Sequence, residues 1–242
     1  MCAAPSATTV APRDTTAPRR ARPRCPRCQR PQATCLCRFV TPTANQVSLL
    51  ILQHPQEQHQ AKGSARLLQL SLGRCRVAVG ERFDAAALAG WLAEPTPSGA
   101  AHCLLLFPEA AGVIRPSAAG PTTTPAAPLP QPADIRLVLL DGTWRQARRL
   151  LSASPLLQAL PRWPLPDPPP SRYAIRQAHR PEQRSTLEAA CLALGALEHR
   201  AACYAPLLAA FDGWVATIAA AQRSADLTAS AIVDSARPSL AA

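Results

Sequence analysis

The sequence is short of lysine, of aromatic residues and of long apolar runs. Lys62 is its one lysine among 26 basic residues, Phe, Trp and Tyr make up 4% of the 242 residues, and acids number only 15. The longest apolar stretches, such as residues 47–52 and 135–140, fall far below the roughly 20 residues that a bilayer-spanning helix requires. No apolar segment follows Met1, so neither a membrane protein nor a secreted precursor is expected. With lysine nearly absent, the positive charge is almost all arginine, and the accompanying Ala and Pro bias makes net charge alone a weak guide to function.

Placement of that charge says more. Residues 1–38 hold eight Arg and one acid, Asp14, so they carry +7 of the chain's +11. A localised excess of this kind suits an arm that meets a polyanion such as nucleic acid, and it equally suits a solvated tail. Residues 1–23 have no apolar periodicity and are expected to be a disordered basic tail. Residues 112–132 are rich in Pro and read as an exposed insertion loop, and residues 224–242 read as a flexible tail.

Between these segments strand and helix signals alternate. Residues 47–53 form a short apolar run of strand length, followed by helical spacing at Ala65, Leu68 and Leu72. Residues 76–79 predict a weak strand, 85–92 a helix, 101–107 a buried strand ended by Pro108, and 135–140 another buried strand. A helix then runs through about Ala153, residues 173–176 suggest a short strand, and helices follow over 185–200 and 207–221. Strands without polar alternation, separated by helices, indicate an α/β domain with a mostly parallel sheet covered on both faces. Ligands of such sheets gather beyond the carboxyl ends of the strands, which directs attention to the polar clusters after Gln53, Phe107 and Leu140.

Four of the nine cysteines, Cys25, Cys28, Cys35 and Cys37, lie within 13 residues. An odd total with no export signal argues against a disulfide framework and for a reducing, cytoplasmic setting. Four thiolates at this spacing suit a tetrahedral, structural Zn2+ in a knuckle over residues 24–40, whereas a redox Cys-x-x-Cys would sit in a βα unit. Arg24, Arg27, Arg30 and Arg38 are interleaved with them and would give the knuckle a basic surface for a nucleic-acid backbone.

The strand at 135–140 leads into Asp141-Gly-Thr-Trp144. Gly142 permits a tight turn, Thr143 or Trp144 starts the next helix, and Arg145, Arg148 and Arg149 fall on its exposed side. A carboxylate, a hydroxyl, helix-start N–H groups and an indole would then converge, able to hold an anionic ligand group and stack on a base. The competing reading is a helix cap at Asp141 and a core position for Trp144.

This turn resembles the one that gives the DTW-domain family its name. Other segments resemble that family in the same order: the four-cysteine knuckle, His54-Pro-Gln-Glu57 with Ala65-Arg-Leu-Leu68, Leu105-Leu-Phe-Pro108, Ser171-Arg-Tyr-Ala-Ile-Arg176 and Ser185-Thr-Leu-Glu-Ala189. The resemblance covers residues 24–220, with the domain proper placed at 44–223. The chain departs from the family in the length of residues 112–132 and in Phe107-Pro-Glu-Ala-Ala111, where a polar loop is usual.

The resemblance implies a SPOUT-like fold with a C-terminal knot and S-adenosylmethionine as co-substrate. It further implies transfer of the 3-amino-3-carboxypropyl group to a loop uridine of tRNA, with no membrane or DNA partner. On this reading Asp141, Thr143 and Trp144 are catalytic, with Asp141 as base or orienter and Glu57 and Glu188 as rivals for the base. Leu140, Gly142, Arg176, Ser185, Thr186 and Glu188 would meet the co-substrate, and His54, Glu57, Arg145, Arg148 and Arg149 the RNA. Arg66 and Arg172 would serve phosphates or the co-substrate carboxylate. Ser185-x-x-Glu188 also reads as a capping box, which is compatible with a helix start facing the pocket. Two alternatives remain: the same transfer on ribosomal RNA, and a non-catalytic zinc-knuckle RNA-binding protein.

Overall fold

The computed structural model describes residues 23–58, 60, 63–108, 130–165 and 184–235. Four strands, β1 (Ser48–Gln53), β2 (Cys75–Val79), β3 (His102–Leu105) and β4 (Ile135–Asp141), form one parallel sheet in the order β2-β1-β4-β3. Around it lie α1 (Pro55–Gln58), α2 (Ala65–Ser71), α3 (Ala85–Leu92), α4 (Trp144–Ser152), α5 (Pro155–Gln158), α6 (Thr186–Leu197) and α7 (Ala205–Ser235). The expected α/β class and parallel sheet are therefore present.

Alternation along the two central strands explains why helices cover both faces. Leu49 and Ile51 of β1, with Leu137 and Leu139 of β4, point into a core shared with α2, α6 and α7. Leu50, Leu52 and Val138 point the other way, where Leu88 of α3 and Leu157 of α5 meet them and Leu151 of α4 packs alongside. Each fully buried leucine contributes about 1.5–3 kcal/mol over an exposed one, so neither face tolerates water. The edge strand β2 is only half-buried, in keeping with its weak sequence signal. Arg136 breaks the apolar run of β4 for a reason: its Nη1 donates to the carbonyls of Trp91, Leu92 and Glu94, closing the C-terminal end of α3.

Three features differ from the sequence reading. The final helix extends to Ser235, so residues 224–235, expected as a tail, are helical. Residues Ala201–Ala221 are long and apolar enough to cross a membrane by length and composition. Leu207, Phe211, Trp214 and Ile218 of that stretch form a buried stripe in the main core, which accounts for the hydropathy. The knuckle at 24–40, set apart in sequence from the domain proper, shares this core through Cys25, Cys28 and Leu36. The tail 1–22, most of the Pro-rich insertion, and the strand expected at 173–176 lie outside the described residues. A C-terminal knot is not defined by the described residues, which are interrupted at 166–183 just before α6.

Candidate active site

β1 and β4 are neighbours in the sheet, but the chain leaves them on opposite faces: α2 follows β1 into one core, and α4 and α5 follow β4 to the other. Diverging connections at adjacent strand ends open a crevice, the usual ligand position in such sheets. Gln53 and Asp141 end the two strands in register, and the His54 N–H donates to the Asp141 carbonyl at 2.9 Å.

Asp141 is buried, and both of its carboxylate oxygens accept hydrogen bonds. Gln53 Nε2 donates to Oδ2 at 2.7 Å, and the Thr186 hydroxyl donates to Oδ1. These two donors, one on each oxygen, fix the orientation of the carboxylate. Asp141 is not the cap of α4, because Thr143 takes that role. Gln146 N–H donates to Thr143 Oγ1 at 3.3 Å and Thr143 N–H donates to Gln146 Oε1 at 2.6 Å, a complete capping box. Two of the N–H groups expected to hold an anion are thereby occupied by the cap itself. A Cβ at Gly142 would lie 3.0 Å from Gln146 Cβ, a tight contact that only a shift of Gln146 would relieve.

The start of α6 is capped in the same way, but in the interior. Glu188 Oε2 accepts from Ser185 N–H at 3.0 Å and Ser185 Oγ at 2.9 Å, while the Glu188 N–H donates to Ser185 Oγ. The Leu187 N–H reaches Ser64 Oγ of the neighbouring α2 region at 3.2 Å. Glu188 thus secures the helix that delivers Thr186 to Asp141, which makes it a poorer rival for the base.

Of the expected RNA contacts, Arg145, Arg148 and Arg149 are exposed along α4 while Ala147 and Leu150 face inward. Trp144 is no core residue: it is 43% exposed. It stacks on Phe107 with ring centroids 5.0 Å apart. His54, expected at a pocket rim, is buried, with Nδ1 accepting from the Gln56 N–H at 3.3 Å and Nε2 3.7 Å from Glu81 Oε1. Glu57 is buried too and borders a cavity of about 320 Å3 between the knuckle and the ends of β1 and β2, a cavity that Gln53 also lines. A larger cavity, about 500 Å3, lies toward the other end of β1 and β2, with Ser48 and Arg136 in its wall and none of the Asp141 cluster.

The knuckle thiols of Cys25, Cys28, Cys35 and Cys37 all lie within 4.8 Å of one another. Cys25 and Cys37 are 3.6 Å apart, and Cys28 and Cys35 3.7 Å. Tetrahedral Zn–S bonds of about 2.3 Å put sulfurs about 3.8 Å apart, so this donor set fits zinc. Backbone N–H groups of Cys28 and Arg27 pull the Cys25 thiol down to about 6, while burial pushes Cys37 up to about 12. Four sulfurs this close could all be held as thiolates only with a cation among them.

The basic surface expected on the knuckle is only partly there. Arg24, Arg27 and Arg38 are exposed, but Arg30 is buried, donates to the Gly63 carbonyl and lies 5.0 Å over the Trp214 ring. Arg66 also turns toward the knuckle: Nη2 donates to the Arg27 carbonyl at 2.5 Å and Nη1 to Gln69 Oε1 at 2.6 Å. Both arginines therefore fasten knuckle to domain, and both also line the cavity of about 320 Å3. Arg172 and Arg176 lie outside the described residues.

Sequence reasoning missed Gln53, Gln146, Phe107 as the partner of Trp144, and Arg162, which lies 5.4 Å over the Phe107 ring. Thr143-x-x-Gln146 was a readable capping-box signal. Gln53 carried none, since its role depends on a strand register 88 residues away.

Comparison with known proteins agrees with the motif order. The profile of one family, the DTW domain, matches residues 22–219. A protein of Macaca fascicularis named tRNA-uridine aminocarboxypropyltransferase 2 is 32% identical over 195 residues, 75% of this chain and 58% of its own length. Proteins of the same name from Drosophila melanogaster and Mus musculus are 35% and 32% identical, covering 74% and 73% of this chain and 68% and 57% of theirs. The chain thus spans little more than half the length of two of these relatives. No solved structure matches it.

Proposed function

The chain belongs to the DTW-domain family, and from that premise we propose that it transfers the 3-amino-3-carboxypropyl group of S-adenosylmethionine to N3 of a loop uridine in tRNA. Variable-loop position 47 is the expected target, methylthioadenosine the co-product, and the cytoplasm the site of action. The names of three relatives support the transferase class and tRNA as the substrate.

The observation that carries the reading is the buried Asp141 carboxylate, oriented by Gln53 and Thr186 at the mouth of the β1/β4 crevice, next to an exposed indole. When bound, S-adenosylmethionine supplies an electrophilic γ-carbon whose sulfonium leaving group departs readily. Orientation of the reactants and removal of the N3 proton are what the protein must add. Leu140, Gly142 and Thr186 adjoin Asp141 and would hold the co-substrate, with Arg176 contributing from beyond the described residues. Held on both oxygens by Gln53 and Thr186, the Asp141 carboxylate would orient the reactants or take the N3 proton. N3 lies on the Watson–Crick edge, so the uridine must be unpaired, as a tRNA loop allows. The exposed Arg145 and Arg149, with Arg24, Arg27 and Arg38 of the knuckle, would meet the RNA backbone.

Nucleoside mass spectrometry of tRNA incubated with the protein and S-adenosylmethionine tests this. The expected product is 3-(3-amino-3-carboxypropyl)uridine in tRNA. Methyluridine, or no product that depends on S-adenosylmethionine, would overturn the proposal, and product confined to ribosomal RNA would move it to the other substrate.

A further inference from the structure

Beyond Asp141, the carboxyl ends of β3 and β4 bring four side chains into one cluster. Phe107 follows β3 and Trp144 opens α4, and their rings are parallel to within 10° with centroids 5.0 Å apart. Arg148, one turn along α4, places its guanidinium 5.4 Å from the Trp144 centroid, and Arg162 lies at the same distance from that of Phe107. Both are inside the roughly 6 Å at which a cation is drawn to a ring face.

The two arginines are mounted differently. Arg162 sits on a segment that pairs along β3, where the Leu105 N–H donates to the Pro161 carbonyl and the Trp163 N–H to the Leu105 carbonyl, each at 2.9 Å. Arg148 stands on the exposed face of α4 beside Arg145 and Arg149. Even inside this cluster Trp144 stays 43% exposed, one of three large apolar side chains so placed among the described residues. A stacked, solvent-facing indole with a guanidinium over it, on a helix face that also carries Arg145 and Arg149, has little to offer an apolar partner. It matches a planar base on a polyanionic backbone, which stacking holds with little regard to base identity.

We propose that Phe107 and Trp144, with Arg148 and Arg162, form a stacking platform for an unpaired base of the RNA, neighbouring the uridine that reaches Asp141. The proposal rests on the reading of the protein as a tRNA-modifying enzyme. A uridine delivered to the crevice must leave its stack, and its neighbour regains stacking on Trp144, three residues along the chain from Asp141. Phe107 backs the indole from its fixed place beside β3. Arg162 holds the Phe107 ring, and Arg148 gives up the indole to the incoming base and turns toward a phosphate.

Hexauridylate titrated into the whole protein, followed by tryptophan fluorescence and by anisotropy of a labelled strand, is the test. The expected result is saturable quenching, with the dissociation constant raised roughly tenfold in Trp144→Leu and several-fold in Phe107→Leu, and largely restored in Trp144→Phe. Phe107→Leu keeps an apolar side chain against its neighbours, and S-adenosylmethionine binding by calorimetry should be unchanged in it. Unaltered hexauridylate affinity in both leucine variants overturns the proposal. So does loss of S-adenosylmethionine binding with hexauridylate affinity retained, which would give the platform to the adenine ring. Failure of the enzymatic reading is separate: it appears as absent product from wild-type protein, whatever the outcome of the hexauridylate titration.

Discussion

The Asp141 crevice and the cysteine knuckle are both polar regions embedded in one core, and they are held by opposite means. The crevice is assembled from strand and helix ends, where register sets Gln53 beside Asp141 and two capping boxes aim the flanking helices. The knuckle has only short 3-10 turns, Gln32–Thr34 and Cys37–Phe39, and relies on four thiols gathered within 4.8 Å. A region built on a sheet can lose a functional group and keep its shape. A region built on a cross-link loses both together. Mutations in the first should therefore cut activity ahead of stability, and those in the second stability ahead of activity.

The sharpest separation is expected from Asp141→Asn. The amide can still accept from Gln53 or Thr186, so the fold should persist with a melting temperature within a few degrees of the wild type. Aminocarboxypropyl transfer should fall by about 10^2- to 10^4-fold in kcat/KM, the usual weight of a group that orients or deprotonates a reactant. Unchanged product formation by the folded variant would remove Asp141 from the mechanism. Metal removal is the counterpart. About one zinc per chain is expected by elemental analysis, and chelation should lower the melting temperature, by roughly 2–4 °C for each 1 kcal/mol of metal-binding free energy lost in a chain of this size. The effect should reach the main core, because Cys25, Cys28 and Leu36 belong to it. A metal-free preparation with the same melting temperature would break the comparison.

Within the crevice the two caps offer a finer contrast, the same local geometry at different depths. Ser185 and Glu188 are buried, while Thr143 is exposed. Glu188→Ala strands the Ser185 N–H and hydroxyl away from water and should cost about 1–3 kcal/mol. Gln146→Ala, at the wetter cap, removes one exposed side-chain bond to the Thr143 N–H and should cost about 0.5 kcal/mol, the low end for a hydrogen bond. It also releases Gln56, to which Gln146 Nε2 donates at 2.7 Å. Calorimetry on the pair measures how far α6 is foundation and α4 working surface, and equal losses would contradict that division.

How much of this was legible in the sequence follows the range of the interactions. Continuous apolar runs at residues 49–52 and 137–140, helical spacing, and the capping patterns at Thr143 and Ser185 are local, and each yields an element the structure contains. The thiol spacing is local too, and the donor set it implies is assembled. What could not be read depends on distant pairings. Gln53 meets Asp141 only through the register of β1 and β4, and Arg30 looks like surface charge until α7 places Trp214 beneath it. His54 looks like a rim residue because nothing local shows that Glu81, beyond β2, approaches within 3.7 Å. The length of α7 past Ala221 escaped for a different reason, since helical backbone there continues without an apolar stripe to announce it.

The smallest expected effect lies in the knuckle and has the opposite sign. Gln29 follows Cys28 with φ of 61°, in the left-handed region that disfavours side chains other than those of Gly, Asn and Asp. The turn needs this conformation, because the Cys25 N–H donates to the Arg30 carbonyl at 2.7 Å and the Gln29 N–H to the Cys25 carbonyl at 2.8 Å. Gln29 partly offsets the strain by donating from Nε2 to the Pro26 carbonyl at 2.7 Å, an exposed bond that contributes little. Gln29→Gly removes the strain, loses that bond and makes the unfolded chain more flexible, which opposes the gain. The net expectation is stabilisation of about 0.5 kcal/mol, a rise in melting temperature of roughly 1–2 °C in zinc-loaded protein. Transfer activity should be unchanged, since Gln29 touches none of the Asp141 cluster. A fall in melting temperature would show that the side-chain bond to Pro26 outweighs the left-handed strain, and that the knuckle draws on hydrogen bonding much as the crevice does.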